Sequence, residues 1–418
     1  MPERKGVASC LATSAAFTAS GIAPPSLMVT AQSFSFAGED PEKAARAYGL
    51  AARRVTRPSG AMVFAAGALG ERLVELGRAV AKAAPGLPVC LVAGAGVVSE
   101  RGEVEGQSAA TGIIWSGGVA EPFSVSGQNA EALGTQLSGA IRKSESHGRS
   151  ITALIFAKPN GLAPHVLEPL SELRRTRVLG AGTVGDAPVV AIGADGQLNR
   201  GPAGGIVLTG LSAPLVRASA ACRLLMPLKV ISKTRGSMVL EIEGAPALEV
   251  LSSVANNLED QPLVFVALAP PLQPDAARLD PTLARERAPE RPDVLLRAVQ
   301  GVDPVRRGLL VSDEVRPGMR IAFAVRDAKA AREDLQSAVR DLLREAHGAA
   351  PRFGIYLNCA GRGSSLYGQR DVDLKILKAR LGELPLAGMQ SSFEVSEVGG
   401  RPSLQLYTGV LGLFTAPS

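Results

Sequence analysis

Histidine and cysteine are scarce in this sequence: 418 residues hold only His147, His165 and His347, and Cys10, Cys90, Cys222 and Cys359. No two cysteines form a CxxC pair and the histidines stand apart, so no structural zinc site can be assembled from the spacing. A core of the size this length allows needs no disulfide framework either. Ser116-Gly117-Gly118 and Ser212 form no GxSxG elbow, and isolated histidines make a hydrolase triad improbable. Aromatic residues are only 4% of the chain, which leaves Val, Leu, Ile and Ala to fill the interior. No apolar stretch reaches the ~20 residues of a membrane-spanning helix.

Charge of one sign is also short. The formal net charge of +6 is spread thinly, and the nearest basic cluster, Arg174-Arg175-Thr176-Arg177, suits a helix C-terminus. A nucleic-acid surface needs a continuous basic face with stacking aromatics, and that pattern is missing. Val7-Ala8-Ser9-Cys10 has the look of a lipoprotein cleavage box. Glu3, Arg4 and Lys5 stand just before it and leave no apolar segment for export. The expectation is a cytoplasmic protein with no cofactor, no bound metal, no nucleic-acid partner and no membrane partner.

What the chain does have is an ordinary globular balance, 46% apolar and 20% charged, and a unit that recurs three times. Each copy reads as an apolar strand, a helix, a strand ending in Gly, a small-residue turn with an acid, and a long returning strand. In the first, Ala61–Gly67 is the strand, Leu69, Leu73, Leu76 and Val80 have helical spacing, and Pro88–Gly94 is the Gly-ended strand. Gly94-Ala95-Gly96 turns the chain, Glu100 supplies the acid, and Ala109–Trp115 returns. In the second, the strand is Ile151–Phe156, a helix is expected over about 165–175, and Val178–Gly182 ends in Gly180-Ala181-Gly182. Asp186 stands where Glu100 did, Asp195-Gly196 signals a hairpin, and Gly204–Gly210 returns. In the third, Phe353–Cys359, a helical face at Val372, Ile376, Leu377 and Leu381, and Leu384–Gly388 precede Glu394 and Glu397. Gly399-Gly400 and Leu404–Phe414 complete that copy.

Between the second and third copies, residues 215–325 read mainly as strands and turns, and Ala328–His347 as an amphipathic helix. Residues 270–292 are rich in Pro, Arg and Asp, which suggests an exposed loop. Strand–helix–strand units with apolar strands predict an α/β fold: two lobes of mixed β-sheets covered by helices.

Asn358-Cys359-Ala360-Gly361-Arg362-Gly363 resembles the C-A-G-R-G turn of the FIST family, a pair of sensory domains, FIST N and FIST C. Leu384-Pro385-Leu386-Ala387-Gly388, Glu394-Val395 and Leu406-Tyr407-Thr408-Gly409-Val410 follow in the family's order. Gly244 with Pro246-Ala247-Leu248 resembles the entry into FIST C, and Arg326-Asp327-Ala328 its R-D-A element. Where the family pattern has aromatics after the Gly-ended strand and Gly before the acid, this chain has Met389-Gln390 and Phe393. The resemblance implies an N-terminal segment at 1–25, a FIST N-like domain at 26–218 and a FIST C-like domain at 219–418. It also implies an intracellular sensory protein that binds a small polar ligand, an amino acid or a carboxylate, and signals to a protein partner.

The residues expected to touch that ligand are Asn358, Cys359, Arg362, Gly388, Ser391 and Glu394. Glycines at the turn let backbone N–H groups gather around an anion, and Arg362 could hold a carboxylate or simply pair with Glu394. Cys359 reads either as a buried core thiol or as the nucleophile of a thiol-dependent enzyme. A scaffold that binds other proteins without a small ligand is the third reading. Gly94, Gly96, Glu100, Gly180, Gly182 and Asp186 are secondary candidates at the matching turns of the other copies. The glycine pairs are not phosphate loops, since neither completes a GxGxxG or GxxxxGK[ST] pattern.

Overall fold

The computed structural model describes residues 30–145, 151–159, 164–173, 175–255, 263–271 and 294–415. The 1–25 segment with its Val7–Cys10 box, His147, Arg174 and all but the first two residues of the 270–292 stretch lie outside the described residues.

The unit seen three times in the sequence folds three times with one topology. The first copy runs through strand Ala31–Ala37, helix Pro41–Ala52, strand Pro58–Ala66, helix Leu73–Ala83, strand Val89–Ala93, a hairpin of Gly96–Ser99 and Gly102–Glu105, and the returning strand Ala109–Ser116. The second has strands Val119–Val125, Ile151–Ala157, Thr176–Gly182 and Ala203–Thr209, with the hairpin Val189–Ile192 and Leu198–Gly201. The third has strands Leu215–Ala220, Pro351–Cys359, Leu386–Ser391 and Thr408–Thr415, with the hairpin Glu394–Val398 and Arg401–Gln405.

Each copy keeps four strands in its own sheet, ordered first, fourth, second, third, and gives its hairpin to another copy's sheet. The first copy's hairpin extends the third sheet, the third's extends the second, and the second's extends the first. In every sheet the second and third strands are parallel, which requires the crossover helix the sequence places there. The three exchange points are tied to one another by backbone bonds. Ala95 donates to Gln390 (2.8 Å), Val184 to Ala93 (3.1 Å) and Ser392 to Gly182 (3.1 Å).

Period-two alternation sorts the side chains. Met62 and Phe64, Leu154 and Phe156, and Ile355 and Leu357 point from the three sheets into one shared core. The opposite faces meet the helices. Leu69, Leu73, Leu76 and Val80 are buried there with Ala61, Val63 and Ala65. Both faces are covered, which is why these strands read as continuous apolar runs. Helix Pro41–Ala52 begins at Asp40, whose carboxylate accepts the Glu42 and Lys43 amides, with Pro41 at its first turn. The helix expected over 165–175 is instead a 3-10 segment, Pro164–Glu172; Pro169 inside it has no N–H for an α-helical bond.

Residues 222–326 are inserted in the third copy between its first strand and helix Ala328–Glu345. Six antiparallel strands close there into a ring: Lys229–Arg235, Met238–Ile242, Gly308–Val311, Leu295–Asp303, Val264–Ala269 and Arg320–Arg326. Arg320–Arg326 pairs with both Val264–Ala269 and Lys229–Arg235, which completes the circuit. Ile231, Val239, Val266, Leu309 and Phe323 fill its interior, with Ala247 and Leu251 of helix Ala247–Ala255 against them. The class is α/β with mixed sheets, as read from the sequence. It has two bodies with separate cores, the three-sheet assembly and the ring. The 218/219 division falls inside strand Leu215–Ala220, which pairs with Thr408–Thr415 in the third sheet.

Candidate functional site

The parallel strands Pro351–Cys359 and Leu386–Ser391 end side by side, with Asn358 opposite Gln390 and Cys359 opposite Ser391. Ligands of α/β sheets gather at such carboxyl ends, where the strands stop and loops begin. Asn358 lies on the helix-facing side with Tyr356, and so does its register partner Gln390. The Asn358 side chain is fully buried and neither Oδ1 nor Nδ2 has a hydrogen-bond partner; Gln390 Nε2 is likewise buried without one. Buried amides almost always find partners, so two with unmet atoms side by side make this the candidate site.

Arg362 covers this layer and is itself fully buried. Its Nε donates to Asp373 Oδ2 at 2.6 Å, Nη1 to the Ser219 carbonyl at 2.8 Å, and Nη2 to Ser219 Oγ at 3.1 Å and the Ala331 carbonyl at 3.2 Å. Asp373 also accepts from the hydroxyls of Tyr356 and Tyr367, each at 2.7 Å. The guanidinium is thus committed to protein groups. Its ionic partner is Asp373, not Glu394, and it holds the loop after Cys359 against the sheet and helix Ala328–Glu345.

The first copy's hairpin supplies the other wall. Glu105 accepts the Ser364 amide at 3.1 Å and the Ser364 hydroxyl. Glu103 and Asp371 exchange bonds: Asp371 Oδ1 accepts the Glu103 amide at 2.7 Å, and Glu103 Oε2 accepts the Asp371 amide at 3.1 Å. Glu103 Oε1 is buried without a partner. Burial first, then the neighbouring Asp373, pushes the Glu103 carboxyl up to about 7. Gly363 packs between the two sides, since a Cβ there would meet Glu105 Oε1 and lie 2.7 Å from Gln390 Nε2.

Cys359 and Glu394 occupy the other side of the strand ends. Burial above all, with Glu394 adding to it, raises the Cys359 thiol to about 11, although the Gly361 and Tyr407 amides and Arg326 act the other way. At neutral pH the sulfur keeps its proton, which counts against the nucleophile reading. Arg326 reaches across from the ring, donating to the Gly361 carbonyl and standing 6.0 Å over the Tyr407 ring.

Glu394 is fully buried, accepting the Thr408 hydroxyl at 2.6 Å and the Thr408 amide at 3.2 Å. Ser391 Oγ lies 2.8 Å from Glu394 Oε1 and 3.0 Å from the Asn358 carbonyl. One hydroxyl proton cannot serve two acceptors. A protonated Glu394 resolves the conflict by donating to Ser391, which then donates to the carbonyl. Burial raises Glu394 to about 8, in keeping with that arrangement. The unfolded chain would therefore lose this proton near pH 4.5 while the folded chain keeps it to about 8. Stability contributed by Glu394 is greatest below pH 4.5 and falls through that window. Denaturant titrations from pH 5 to 8 are expected to show a shallower decline in Glu394→Gln than in the wild type; parallel curves would refute it.

The remaining candidates do not join this layer as one set. Gly388 sits where a Cβ would overlap the Tyr356 carbonyl oxygen, and Gly180 is placed the same way against Ile155. Gly182 packs on Ser392 and Phe393, and a Cβ at Gly94 would lie 2.8 Å from the Gln390 carbonyl oxygen. Gly96 backs the Gln390 amide. Asp186 is fully exposed, 3.7 Å from Lys158. Glu100 accepts from Ser33 Oγ at 2.7 Å at the amino end of strand Leu386–Ser391. It lines an open cleft of about 520 Å³ with Arg101, Lys378 and Pro385. That cleft lies at the wrong end of the parallel strands for an α/β ligand site. Sequence reasoning missed Gln390 as the neighbour of Asn358, and Glu103, Glu105, Asp371, Asp373 and Ser219 as the groups that hold the covering segment. The one available signal was Gln390, a polar residue where the family pattern has an aromatic.

No helix among the described residues is long and apolar enough to cross a membrane. An uncharacterized protein of Mycobacterium tuberculosis is 30% identical over 198 residues, 47% of this chain and 49% of the relative. An uncharacterized protein of Mycobacterium bovis is 29% identical over 211 residues, 50% of this chain and 52% of the relative. The chain thus spans about half the length of these curated relatives. Residues 247–397, which include Asn358, Arg362, Asp373, Gln390 and Glu394, match the FIST C domain. That segment is similar to the FIST C domain, as the resemblance of its motifs implies.

Proposed function

We propose that this chain is a sensory protein that binds a small polar molecule in the layer between the third sheet and the segment 360–373, and that a protein partner reads the ordering of that segment. The observation that carries the proposal is the contrast among the three copies. The three exchange bonds align Ala93, Gly182 and Gln390, which puts Ala65 beside Ala93 in the first sheet, Ala157 beside Gly182 in the second, and Asn358 beside Gln390 in the third. The topology is built twice without polar groups at this place, so the fold does not require them. An unpaired buried amide costs about 1–3 kcal/mol, a cost a folded protein retains where function needs it. The segment that covers the layer is held by Arg362 and Glu105 at its edges, so a ligand beneath it would change how firmly it is held.

The test is a pair of measurements on Asn358→Leu. Without ligand the variant is expected to be more stable than the wild type by about 1–3 kcal/mol, because an apolar side chain of similar size removes the unmet polar atoms. In a thermal-shift screen of small polar metabolites, the compound that stabilises the wild type should no longer stabilise the variant. At a hundredfold excess over its dissociation constant such a ligand adds about 2.7 kcal/mol. A ligand shift that survives in Asn358→Leu would remove this site from consideration.

A further inference from the structure

We infer that the molecule taken up beside Asn358 is a small cation, a primary ammonium joined to a neutral oxygen acceptor, and not an amino acid or a carboxylate. This rests on the reading of the layer as a ligand site and specifies what that site accepts.

Four carboxylates line the layer: Glu103, Glu105, Asp371 and Asp373. Asp373 is neutralised by Arg362, at 2.6 Å. Glu103, Glu105 and Asp371 form no ion pair with any Lys or Arg among the described residues; Arg101 pairs with Glu100 and Lys378 with Glu383, and the exposed Arg370 beside Asp371 makes no ion pair with it. Glu103 Oε1 and Asn358 Oδ1 are buried acceptors with nothing to accept from. An ammonium has three donors and a positive charge, and suits both the unmet acceptors and the excess of carboxylates. Asn358 Nδ2 and Gln390 Nε2 are buried donors with nothing to donate to. They call for an oxygen on the same molecule. A carboxylate would fill that role only by adding a negative charge beside Glu105, Asp371 and Glu103, whose own carboxyl already resists ionisation there, which is the costly choice. A hydroxyl or carboxamide oxygen does so without charge. The cation that the turn seemed to offer a carboxylate ligand, Arg362, is already spent on Asp373.

The site also needs two copies of the unit. Glu103 and Glu105 come from the first copy's hairpin and Asn358 and Gln390 from the third copy's strands, joined by the Gly96–Gln390 register. The strand exchange brings the acids to the amides.

The experiment uses the full chain and five matched two-carbon probes at constant ionic strength: ethanolamine, glycinamide, glycine, glycolate and glycolamide. Calorimetric titration and thermal shift are expected to show binding of ethanolamine and glycinamide, at least tenfold weaker binding of glycine, and none of glycolate. Glu105→Gln, which keeps the side-chain shape, should weaken the two amines at least tenfold; Asp371→Asn provides a second variant should the first fold poorly. If glycolate, glycolamide or glycine binds best and Asn358→Leu abolishes it, the ammonium assignment is overturned while the site stands. If the amines bind equally well to Glu105→Gln, Asp371→Asn and Asn358→Leu, both the assignment and the site are overturned. No response to any of the five overturns the assignment, and the unliganded stability of Asn358→Leu then decides the site.

Discussion

Asp373→Ala is expected to destabilise the protein by about 3–5 kcal/mol, the usual cost of removing one partner from a buried ion pair. Asp373 is almost fully buried and accepts from Arg362, Tyr356 and Tyr367 at 2.6–2.7 Å. Its removal leaves a buried guanidinium without a counter-charge and two buried hydroxyls without an acceptor. Water cannot readily replace them beneath helix Ala328–Glu345. The loss should show as a large fall in the denaturant midpoint. A double variant, Arg362→Met with Asp373→Ala, should recover part of it, because no charge is then left unpaired. A single variant within about 1 kcal/mol of the wild type would mean that the loop after Cys359 is held by something else.

Gly388→Ala should be as damaging, at more than about 3 kcal/mol, and for a steric reason. A Cβ at Gly388 would overlap the Tyr356 carbonyl oxygen, which is backbone of the adjoining parallel strand and cannot rotate aside. The two strands would have to separate just below Asn358 and Gln390. Gly236→Ala serves as a control, since no atom lies within 4 Å of a Cβ there; that glycine has φ +58°, so its cost is backbone strain of about 1 kcal/mol. Comparable soluble yields and unfolding midpoints for the two variants would contradict the packing role given to Gly388. Its appearance among the expected ligand contacts followed from its place in a motif. The structure gives the residue a role in strand packing.

The two predictions separate what could be read from what could not. Leu69, Leu73, Leu76 and Val80 declared a helical face by spacing alone, and they are buried on one. The Gly-ended strands and Asp195-Gly196 announced their turns, because a turn is set by residues adjacent in sequence. Asn358 was singled out by its motif and proves to be the buried amide without partners. Its neighbours carried no such mark. Glu103 and Glu105 lie more than 250 residues from Asp371 and Ser364, with which they bond. Arg362 was assigned to a ligand or to Glu394, whereas Asp373, eleven residues along, takes it.

Local order in this chain therefore follows from the sequence by itself: three copies of a unit, their strands and helices, and which faces are apolar. Short-range sterics and hydrophobic periodicity act over a few residues and leave their pattern in the letters. Partnership was decided only by the tertiary structure. Each copy gives its hairpin away, and the direction of that exchange sets which acids stand beside which amides. Nothing within a hairpin of four- or five-residue strands specifies whose sheet it will extend; that choice depends on all three sheets closing on one core.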